Sequence, residues 1–540
     1  MRRTATATVL LALFAGAYCG LFAANSLIRV RTFTADSMNY VDVARRVVGG
    51  DGIVQSTGGF NQPFYLSGDL DLPSAFTAQP PGYPLAIALL SRVGMASADS
   101  ALVVSALAYA AILALVYLLG KRIGGSAAAL IALGAALLCV PLTHLGRAAL
   151  SECLAVAVVL LFFLLLDRLL ERGLEDQAPW RALLLHLALG LLAGAAFGVR
   201  YSLWPLPLVG IAALWLGGSG PREERRDAAR RLVPTFGVGA LVPVAWILGR
   251  NLSVEGNHLP AAMPAVTTLP ESLERAVTAV LGGWRSTTVG NWPDAAVLAV
   301  VLGFLGAFAI RAARNSARPP ARSRLPLLFC LWSVLYLAAV VWRSTQANFD
   351  PIGVRLALPA TVPLIPVCGA LIGASLPSAR RLAWLPFAVL LLCFGAASIR
   401  EATLWASGRD ARAMEFQSER QQWLRDHTGP GDLVIGGGTM DVPFLVPGSH
   451  AISYAGLPYT EVLSYADLER ITDRHCRDFD RLLLVVRPTV QLGGGRSDED
   501  PSDWLGPFIA DARAGRHEPY PLLEPLATLT ETRVYRITCP

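Results

Sequence analysis

Long apolar segments recur through the first 400 residues of this 540-residue chain. Each is long enough to cross about 30 Å of hydrocarbon as a helix. The chain is 54% hydrophobic and 16% charged, whereas about 25% of the residues in a soluble domain are charged. The sequence therefore predicts a polytopic α-helical membrane protein and excludes an ordinary soluble enzyme.

We predict about eleven transmembrane helices from windows of this length. They cover residues 5–27, 98–120, 126–143, 149–170, 182–199, 201–218, 232–249, 294–312, 325–342, 355–376 and 382–399. The first segment resembles a signal peptide because Arg2 and Arg3 precede its apolar core. Its apolar run is long and no small-residue cleavage site follows, so we interpret it as an uncleaved anchor.

Basic residues are concentrated in alternate loops between these segments, at 121–122, 172–181, 222–231, 311–324 and 380–381. Cytoplasmic loops carry an excess of lysine and arginine, so these loops and the N terminus are predicted to lie on the inner side of the cytoplasmic membrane. The opposite loops, including the large first loop at 28–97, and the region after residue 400 then lie outside. The net charge of +6 is explained by this bias, and we expect no nucleic-acid partner.

The chain is predicted to divide into a transmembrane domain at 1–400 and a small extracytoplasmic α/β domain at 401–540. The elements predicted in the second domain are a helix at 414–427, a strand at 432–435, a helix at 465–474, a buried strand at 481–486 and a strand-like hairpin at 526–538. The run Gly436-Gly437-Gly438 is interpreted as a turn, because the Lys-Ser/Thr of a phosphate loop does not follow it. Cys476 and Cys539 could form a disulfide if this region is exported.

Two predicted outer loops contain short helical segments. In the first, Gln79-Pro-Pro-Gly-Tyr-Pro84 precedes Leu85–Leu90, an apolar run too short to span, which we expect to lie in the interface or to re-enter. In the second, a helix is predicted from Glu271 to Leu281, followed by Trp284 and Trp292, which suit the headgroup level. Together these elements would roof a cavity on the outer side.

The first outer loop begins with Phe33-Thr-Ala-Asp36-Ser37, directly after the first apolar segment. A carboxylate at the membrane surface can act on a lipid-borne substrate and a water-borne one together, so Asp36 is the candidate catalytic residue. The alternative is that Asp36 or Ser37 caps an interfacial helix running to about residue 48, since short polar side chains satisfy free N–H groups there.

Four further charged residues are predicted at the outer ends of spans: Arg147, Glu152, Arg200 and Arg355. Charged groups at membrane depth are costly and indicate a functional site. Arg355 is the strongest candidate, because it follows a polar outer loop and directly precedes a span. The alternatives are that Glu152 complements the positive end of its helix and that Arg147 and Arg200 anchor the protein at the lipid headgroups.

An outward carboxylate with outward arginines suits a transferase that uses a phosphate-linked lipid donor. The arginines would bind the phosphate leaving group through its oxygens, and the carboxylate would accept the proton of an acceptor hydroxyl. No general acid is needed, because phosphate leaves as an anion. This differs from glycoside hydrolysis, in which two carboxylates flank the bond.

Other polar residues give weaker indications. Asp42 and Asp51 are predicted to be solvated loop charges. His144 and His258 are isolated and lack the spacing of zinc ligands. A divalent metal held by Asp36 and one other carboxylate is left open.

Five segments carry a resemblance to a known family: Asp36-Ser-Met-Asn-Tyr40-Val-Asp-Val-Ala44, Gln79-Pro-Pro-Gly-Tyr-Pro84, Leu150-Ser-Glu152, Gly198-Val-Arg200-Tyr201 and Arg355-Leu-Ala-Leu-Pro359. In their order and positions, and with the C-terminal region, the chain resembles the GT-C glycosyltransferases that use polyprenyl-phosphate sugars. It is most similar to the bacterial branch related to protein O-mannosyltransferases and lipid A aminoarabinose transferases. The resemblance covers essentially the whole chain.

This resemblance implies a catalytic acidic residue near the start of the first outer loop and transfer with inversion at the anomeric carbon. Asp36 matches that acidic position. Ser37 stands where some relatives have a second acidic residue, which disfavours a site with two carboxylates and a metal. The Trp-Trp-Asp motif of oligosaccharyltransferases is absent from the sequence, which disfavours transfer of a whole glycan to asparagine.

We therefore expect a membrane glycosyltransferase that moves one sugar from a polyprenyl-phosphate donor to an acceptor outside the cytoplasmic membrane, either a glycan, a lipid or a protein. Asp36 would be the base, Arg355 with Arg200 or Arg147 would hold the donor phosphate, and Tyr40 and Glu152 would shape the site. A transporter or flippase of a lipid-linked sugar is the main alternative, although it would need polar groups at mid-membrane on broken helices. A non-catalytic scaffold is the second alternative.

Overall fold

The computed structural model describes residues 33–57, 72–137, 139–171, 179–217, 222–256, 258–259, 267–282, 324–346, 352–375, 418–436, 441–453, 464–486, 506–529 and 532–539. Three predicted spans, at 5–27, 294–312 and 382–399, lie outside these residues, as do Trp284 and Trp292.

Helix α1 (Ala35–Gly49) opens the described part of the chain. Thr34 caps it: Thr34 Oγ1 accepts from the backbone N–H of Ser37 at 3.3 Å, and Ser37 Oγ accepts from the N–H of Thr34 at 3.1 Å. This reciprocal arrangement is a capping box. The helix extends to Gly49, close to the predicted end. The alternative in which Asp36 or Ser37 is the cap residue is wrong, because Thr34 occupies that position and Ser37 only completes the capping box. The Asp36 carboxylate is left available for other contacts.

The rest of the first outer loop packs around α1. Strands β1 (Val54–Gln55) and β2 (Ser74–Ala75) pair antiparallel, and α2 (Gly82–Arg92) follows them. Helix α2 is the predicted short apolar helix. Its buried Tyr83 and Ile87 belong to the large core of the membrane bundle.

Helix α3 (Ser97–Leu137) folds back on itself, and its two arms are the predicted spans at 98–120 and 126–143. Gly125 has a non-helical conformation with φ 81° and ψ −168°. A Cβ built on Gly120 would lie 3.0 Å from the Cα of Ala129, so the arms touch beside this turn. The second arm ends earlier than predicted, at Leu137, and a separate short helix, α4 (Val140–Arg147), follows.

Four helices follow the next four predicted spans: α5 (Glu152–Glu171), α6 (Pro179–Val199), α7 (Leu206–Gly217) and α8 (Arg222–Glu255). Helices α6 and α8 approach closely, because a Cβ on Gly190 would lie 2.1 Å from the carbonyl oxygen of Phe236. Glycine at such an interface lets two membrane helices pack backbone to backbone.

The remaining described helices before residue 400 are α9 (Leu269–Gly282), α10 (Arg324–Gln346), α11 (Val354–Thr361) and α12 (Leu364–Ser375). Helix α9 is the predicted outer helix, and α10 is the predicted span at 325–342. The predicted span at 355–376 is bent by 57° between α11 and α12. The break falls at Pro363, whose missing N–H and ring disfavour a continuous helix.

Five described helices are long and apolar enough to cross a membrane, or six spans result if α11 and α12 form one bent span. The five are Ser97–Leu137, Glu152–Glu171, Trp180–Val199, Arg230–Val254 and Arg324–Gln346. These helices agree with the predicted polytopic α-helical architecture.

The C-terminal part contains α13 (Glu419–His427), β3 (Asp432–Gly436), α14 (Asp441–Leu445), β4 (His450–Ser453), α15 (Tyr465–His475), β5 (Arg481–Val486), α16 (Gly506–Ala514), β6 (Leu523–Leu529) and β7 (Thr532–Ile537). The strands form one sheet in the order β4-β3-β5-β7-β6. Strands β4, β3 and β5 are parallel, while β7 and β6 are antiparallel to their neighbours. Cys476 and Cys539 form a disulfide, with Cα atoms 5.7 Å apart.

Most predicted elements of this sheet are present, but β4, α14 and α16 were not predicted. β4 and α14 are only four and five residues long, too short for hydrophobic periodicity to identify them. Both nevertheless matter, because they contact the first outer loop. The backbone N–H of Ala451 in β4 donates to the carbonyl of Ser56 at 3.1 Å.

Candidate active site

The carboxylate of Asp36 lies in the first turn of α1 and contacts two residues distant in sequence. Gln79 Nε2 donates to Asp36 Oδ1 at 2.9 Å. Asp36 Oδ2 forms an ion pair with Nη2 of Arg355, the second residue of α11. The base candidate and the strongest phosphate-binding candidate are therefore direct neighbours.

Arg355 also pairs with Glu152, the first residue of α5. The same oxygen, Glu152 Oε1, lies 2.6 Å from Arg200 Nη1. Glu152 is completely buried, so its charge is stabilised by the two guanidinium groups, as a buried carboxylate requires. The four residues form a continuous chain of charges in the order Asp36, Arg355, Glu152, Arg200.

The two ends of this chain differ in exposure. The side chains of Arg355 and Asp36 are 31% and 20% exposed, whereas those of Arg200 and Glu152 are 13% and 0% exposed. The side chains of Asp36 and Arg355 are therefore the more accessible ones, whereas Glu152 is fully buried and Arg200 is mostly buried. Arginines held by a buried carboxylate keep a fixed orientation, which suits recognition of a phosphate.

Close packing of two glycines brings these residues together. A Cβ on Gly82 would lie 2.5 Å from the carbonyl oxygen of Gly198. Gly82 begins α2, three residues after Gln79, and Gly198 lies near the end of α6, two residues before Arg200. Both glycines belong to segments that carry the family resemblance. Their close contact explains why a glycine is required at position 82.

Tyr40 is buried and lies near Arg200, at the buried end of the chain of charged residues, rather than at the accessible end formed by Asp36 and Arg355. Its hydroxyl is 3.4 Å from Ser151 Oγ, and Arg200 Nη1 donates to the same Ser151 oxygen at 3.4 Å. The Tyr40 ring packs edge-on against Tyr83 at 5.0 Å between ring centroids. Burial, and then the charges of Asp36 and Glu152, raise the pKa of Tyr40, so its hydroxyl stays protonated.

Arg147, the third predicted phosphate-binding residue, ends α4 and is 4% exposed. The chain of ion pairs described above is formed by the other four charged residues, so a phosphate-binding role for Arg147 stays a prediction.

The prediction for Asp42 is wrong, because this residue is buried rather than solvated. Asp42 Oδ2 accepts from the backbone N–H of Ser56 at 2.6 Å, and Oδ1 accepts from Ser56 Oγ at 2.7 Å. Burial raises the pKa of Asp42. Asp51 is exposed as predicted, and it pairs with Arg46 at 3.1 Å.

Gln79 is the site residue whose role the sequence did not indicate. In the sequence, Gln79 begins the proline-rich segment that precedes a short helix. No pattern in the sequence indicates its contact with Asp36, 43 residues earlier. Its second amide atom, Oε1, is buried without a hydrogen-bond partner among the described residues. Within those residues, no group of three or more His, Cys, Asp or Glu side chains could hold a metal ion.

The fold is a helical membrane bundle, and an acidic residue and two arginines meet at the ends of its helices. This arrangement indicates the class of membrane protein to which the chain is similar. The chain has the fold of the polytopic GT-C membrane proteins. Residues 78–247 match the family described as dolichyl-phosphate-mannose-protein mannosyltransferase. No curated protein sequence matches the chain.

Solved structures show the same fold along the whole chain. ArnT from Cupriavidus metallidurans in the apo state is 13% identical, with a TM-score of 0.60, and 99% of each chain is covered. ArnT from the same organism bound to undecaprenyl phosphate is also 13% identical, with a TM-score of 0.59 and 98% of each chain covered. The predicted resemblance and fold are thereby confirmed.

Proposed function

We propose that the chain transfers a single sugar from a polyprenyl-phosphate donor to an acceptor hydroxyl outside the cytoplasmic membrane, with inversion at the anomeric carbon. The observation that carries the proposal is the accessible pair of Asp36 and Arg355, which places a proton acceptor beside a phosphate-binding group. The structure of ArnT bound to undecaprenyl phosphate, with the same fold, supports a lipid-linked donor.

Arg355 is the proposed ligand of the donor phosphate. Its guanidinium group is accessible, and a planar guanidinium can form two parallel hydrogen bonds to phosphate oxygens. Glu152 neutralises one of the two positive charges of Arg355 and Arg200, and Asp36 balances the other in the structure. A donor phosphate would replace Asp36 as the partner of Arg355. Arg200 contributes its positive charge from its buried position.

Asp36 is the proposed general base. The acceptor oxygen forms a bond to the anomeric carbon, the bond from that carbon to the phosphate oxygen breaks, and its electron pair leaves with the phosphate. The hydroxyl proton passes to Asp36. One displacement at the anomeric carbon inverts its configuration.

The ion pair between Asp36 and Arg355 suggests that donor binding precedes proton transfer to Asp36. Asp36 Oδ2 is engaged by Arg355 in the structure. When Arg355 turns toward a bound donor phosphate, Asp36 Oδ2 becomes available to the acceptor hydroxyl, while Gln79 continues to hold Oδ1. Donor binding would thus free the base.

The membrane orientation belongs to the same proposal. The arginine-rich loops indicate that the N terminus lies in the cytoplasm and that residues 401–540 form an extracytoplasmic domain. The site would then lie at the outer surface of the inner membrane, where an exported acceptor is accessible.

The proposal is tested with the purified chain in liposomes and a panel of labelled polyprenyl-phosphate sugars, with envelope glycans, lipids and proteins supplied as acceptors. Transfer from one donor is expected, and NMR of the product should show the anomeric configuration opposite to that of the donor. A product with retained configuration would contradict the single displacement. Movement of intact donor between leaflets, with no transfer from any donor, would instead establish the transporter alternative.

A further inference from the structure

Helix α1 is held at its C-terminal half by the unpredicted helix α14. Arg45 Nη1 donates to the carbonyl oxygens of Pro443 and Phe444, each at 3.1 Å. These carbonyls belong to the last turn of α14, where backbone acceptors lack partners within the helix. An arginine satisfies such acceptors and complements the negative end of the helix.

The other end of α14 is fixed within the C-terminal part of the chain. Asp441, its first residue, is 3% exposed and forms a buried ion pair with Arg420. Gln421 Nε2 also donates to Asp441 Oδ2 at 3.3 Å. Both partners lie on α13, so α14 links α13 directly to Arg45 of α1.

The side chain of Phe444 contacts Arg45 of α1 and also Phe33, which precedes the helix. Its ring lies 4.8 Å from the ring of Phe33, which immediately precedes the Thr34 cap. The guanidinium carbon of Arg45 lies 5.5 Å from the same Phe444 ring, a favourable arrangement for a cation and an aromatic face.

A second connection runs through the residue after Arg45. Arg46 donates to Ser56 Oγ at 2.8 Å from Nη2 and at 3.0 Å from Nε, and its Nη2 lies 3.1 Å from His450 Nε2. Ser56 is also bonded to Asp42 on α1, and its carbonyl accepts from Ala451 of β4. The sheet of the C-terminal part therefore contacts α1 through β4 as well as through α14.

Asp36 and Arg45 lie on one helix whose residues 39–44 are all buried. A regular helix packed on all sides moves as a unit, so a shift at Arg45 also displaces the first turn. The carboxylate of Asp36 must remain close to Gln79 and Arg355, and a displacement of about 1 Å at a reacting group can lower a rate by about 100-fold.

We propose that the C-terminal part of the chain holds α1 in its catalytic position, and that Arg45 is a positioning residue for Asp36. This inference rests on the proposed function, because it assigns Arg45 an effect on the base. It gives residues 418–539 a role in the reaction that requires no contact with donor or acceptor.

The test compares steady-state transfer by the full chain in liposomes for the wild type, Arg45→Met, Arg45→Lys and the control Arg477→Met. Arg477 is exposed, in the same C-terminal part of the chain as α14. We expect Arg45→Met to lower kcat by about tenfold with an unchanged KM for the donor, because Arg355 and Arg200 are intact. Arg45→Lys keeps one donor group for the carbonyls and should recover part of the loss, and Arg477→Met should match the wild type.

A merely structural role would reduce the amount of folded protein and leave the kcat of the folded fraction unchanged. An unchanged kcat for Arg45→Met, or a raised KM with unchanged kcat, would overturn the proposal. Phe444→Leu provides a second variant that keeps the backbone carbonyls but removes the ring that contacts Phe33 and Arg45, and it should lower kcat in the same direction as Arg45→Met.

Asp36→Asn, measured in parallel, separates this inference from the proposed function. If Asp36→Asn is inactive and Arg45→Met is normal, only the positioning role fails. If Asp36→Asn retains full activity, the proposed base is wrong, and a lowered kcat in Arg45→Met would then have to act on another group of α1.

Discussion

Gln79 Nε2 donates a 2.9 Å hydrogen bond to Oδ1 of Asp36, the oxygen that does not face Arg355. The two oxygens of the carboxylate therefore have separate partners, one neutral and one charged. A phosphate that attracts Arg355 can release one oxygen while the other stays bonded to the amide. We therefore expect Gln79 to keep the proposed base oriented during the reaction.

Replacement of Gln79 by Met should lower kcat by about tenfold, because methionine fills similar space but cannot donate to Asp36. The KM for the donor should change little, since Arg355 remains paired with Glu152. Steady-state kinetics with the preferred donor measures both quantities. Gln422→Met, at an exposed position of α13, is the control, and equal kcat values in the two variants would contradict the role assigned to Gln79.

Replacement of Gly82 by Ala should destabilise the protein, because the new methyl group would lie 2.5 Å from a backbone oxygen of Gly198. Forced overpacking of this kind costs about 1–3 kcal/mol. Separation of α2 from α6 would also move Gln79 away from the end of α6 that carries Arg200, so transfer should fall as well.

The matched control for Gly82→Ala is Gly249→Ala, since Gly249 lies within α8 and has no heavy atom within 4 Å of an added Cβ. Thermal unfolding in detergent should show a lower midpoint for Gly82→Ala and an equal or higher midpoint for Gly249→Ala. Equal midpoints for Gly82→Ala and the wild type would show that the two helices are not in close contact.

The free energy of unfolding should fall in mild acid because His450 is protonated more readily in the unfolded chain than in the folded one. Burial, and then the neighbouring charges of Arg46 and His475, lower the pKa of His450 to about 4, whereas an unfolded histidine titrates near about 6.5. Between these values the unfolded chain binds the proton and the folded chain does not, so acid favours unfolding. The stabilising contribution is fully present above about pH 6.5 and is lost progressively as the pH falls toward 4.

The measurement is the unfolding midpoint of the wild type and His450→Gln across that pH range. Glutamine can accept from Arg46 but does not titrate, so the midpoint of the variant should depend less on pH. Identical pH dependence in the two proteins would assign the acid sensitivity to other groups.

Much of the membrane architecture could be predicted because hydrophobic length and arginine distribution are local properties of the sequence. The same holds for Glu152 and Arg355, whose charge at the start of apolar segments is conspicuous without any structure. Their mutual contact could not be predicted, because they are 203 residues apart and the ion pair depends on how α5 and α11 pack.

The errors have equally specific causes. Asp42 was predicted to be solvated because aspartate in a loop usually is, and its burial depends on Ser56 and on the C-terminal part of the chain. The alternative with Asp36 or Ser37 as the cap is wrong because Thr34, two and three positions earlier, is also a residue type that caps helices, and local sequence does not show which of the three residues does so. Gln79 could not be identified from the sequence, because an uncharged amide at a membrane surface does not carry the free-energy cost that marks a charged residue as functional.

The proposed role of Asp36 as the base is tested most directly by single-turnover transfer by purified Asp36→Asn in liposomes, with binding of undecaprenyl phosphate measured on the same preparation. Asparagine is close in size to aspartate and can still contact Gln79, but it cannot accept the acceptor's proton. We predict a loss of at least about 100-fold in the transfer rate, with undecaprenyl phosphate still bound through Arg355. Transfer at the wild-type rate by Asp36→Asn would contradict the role of Asp36 as the base.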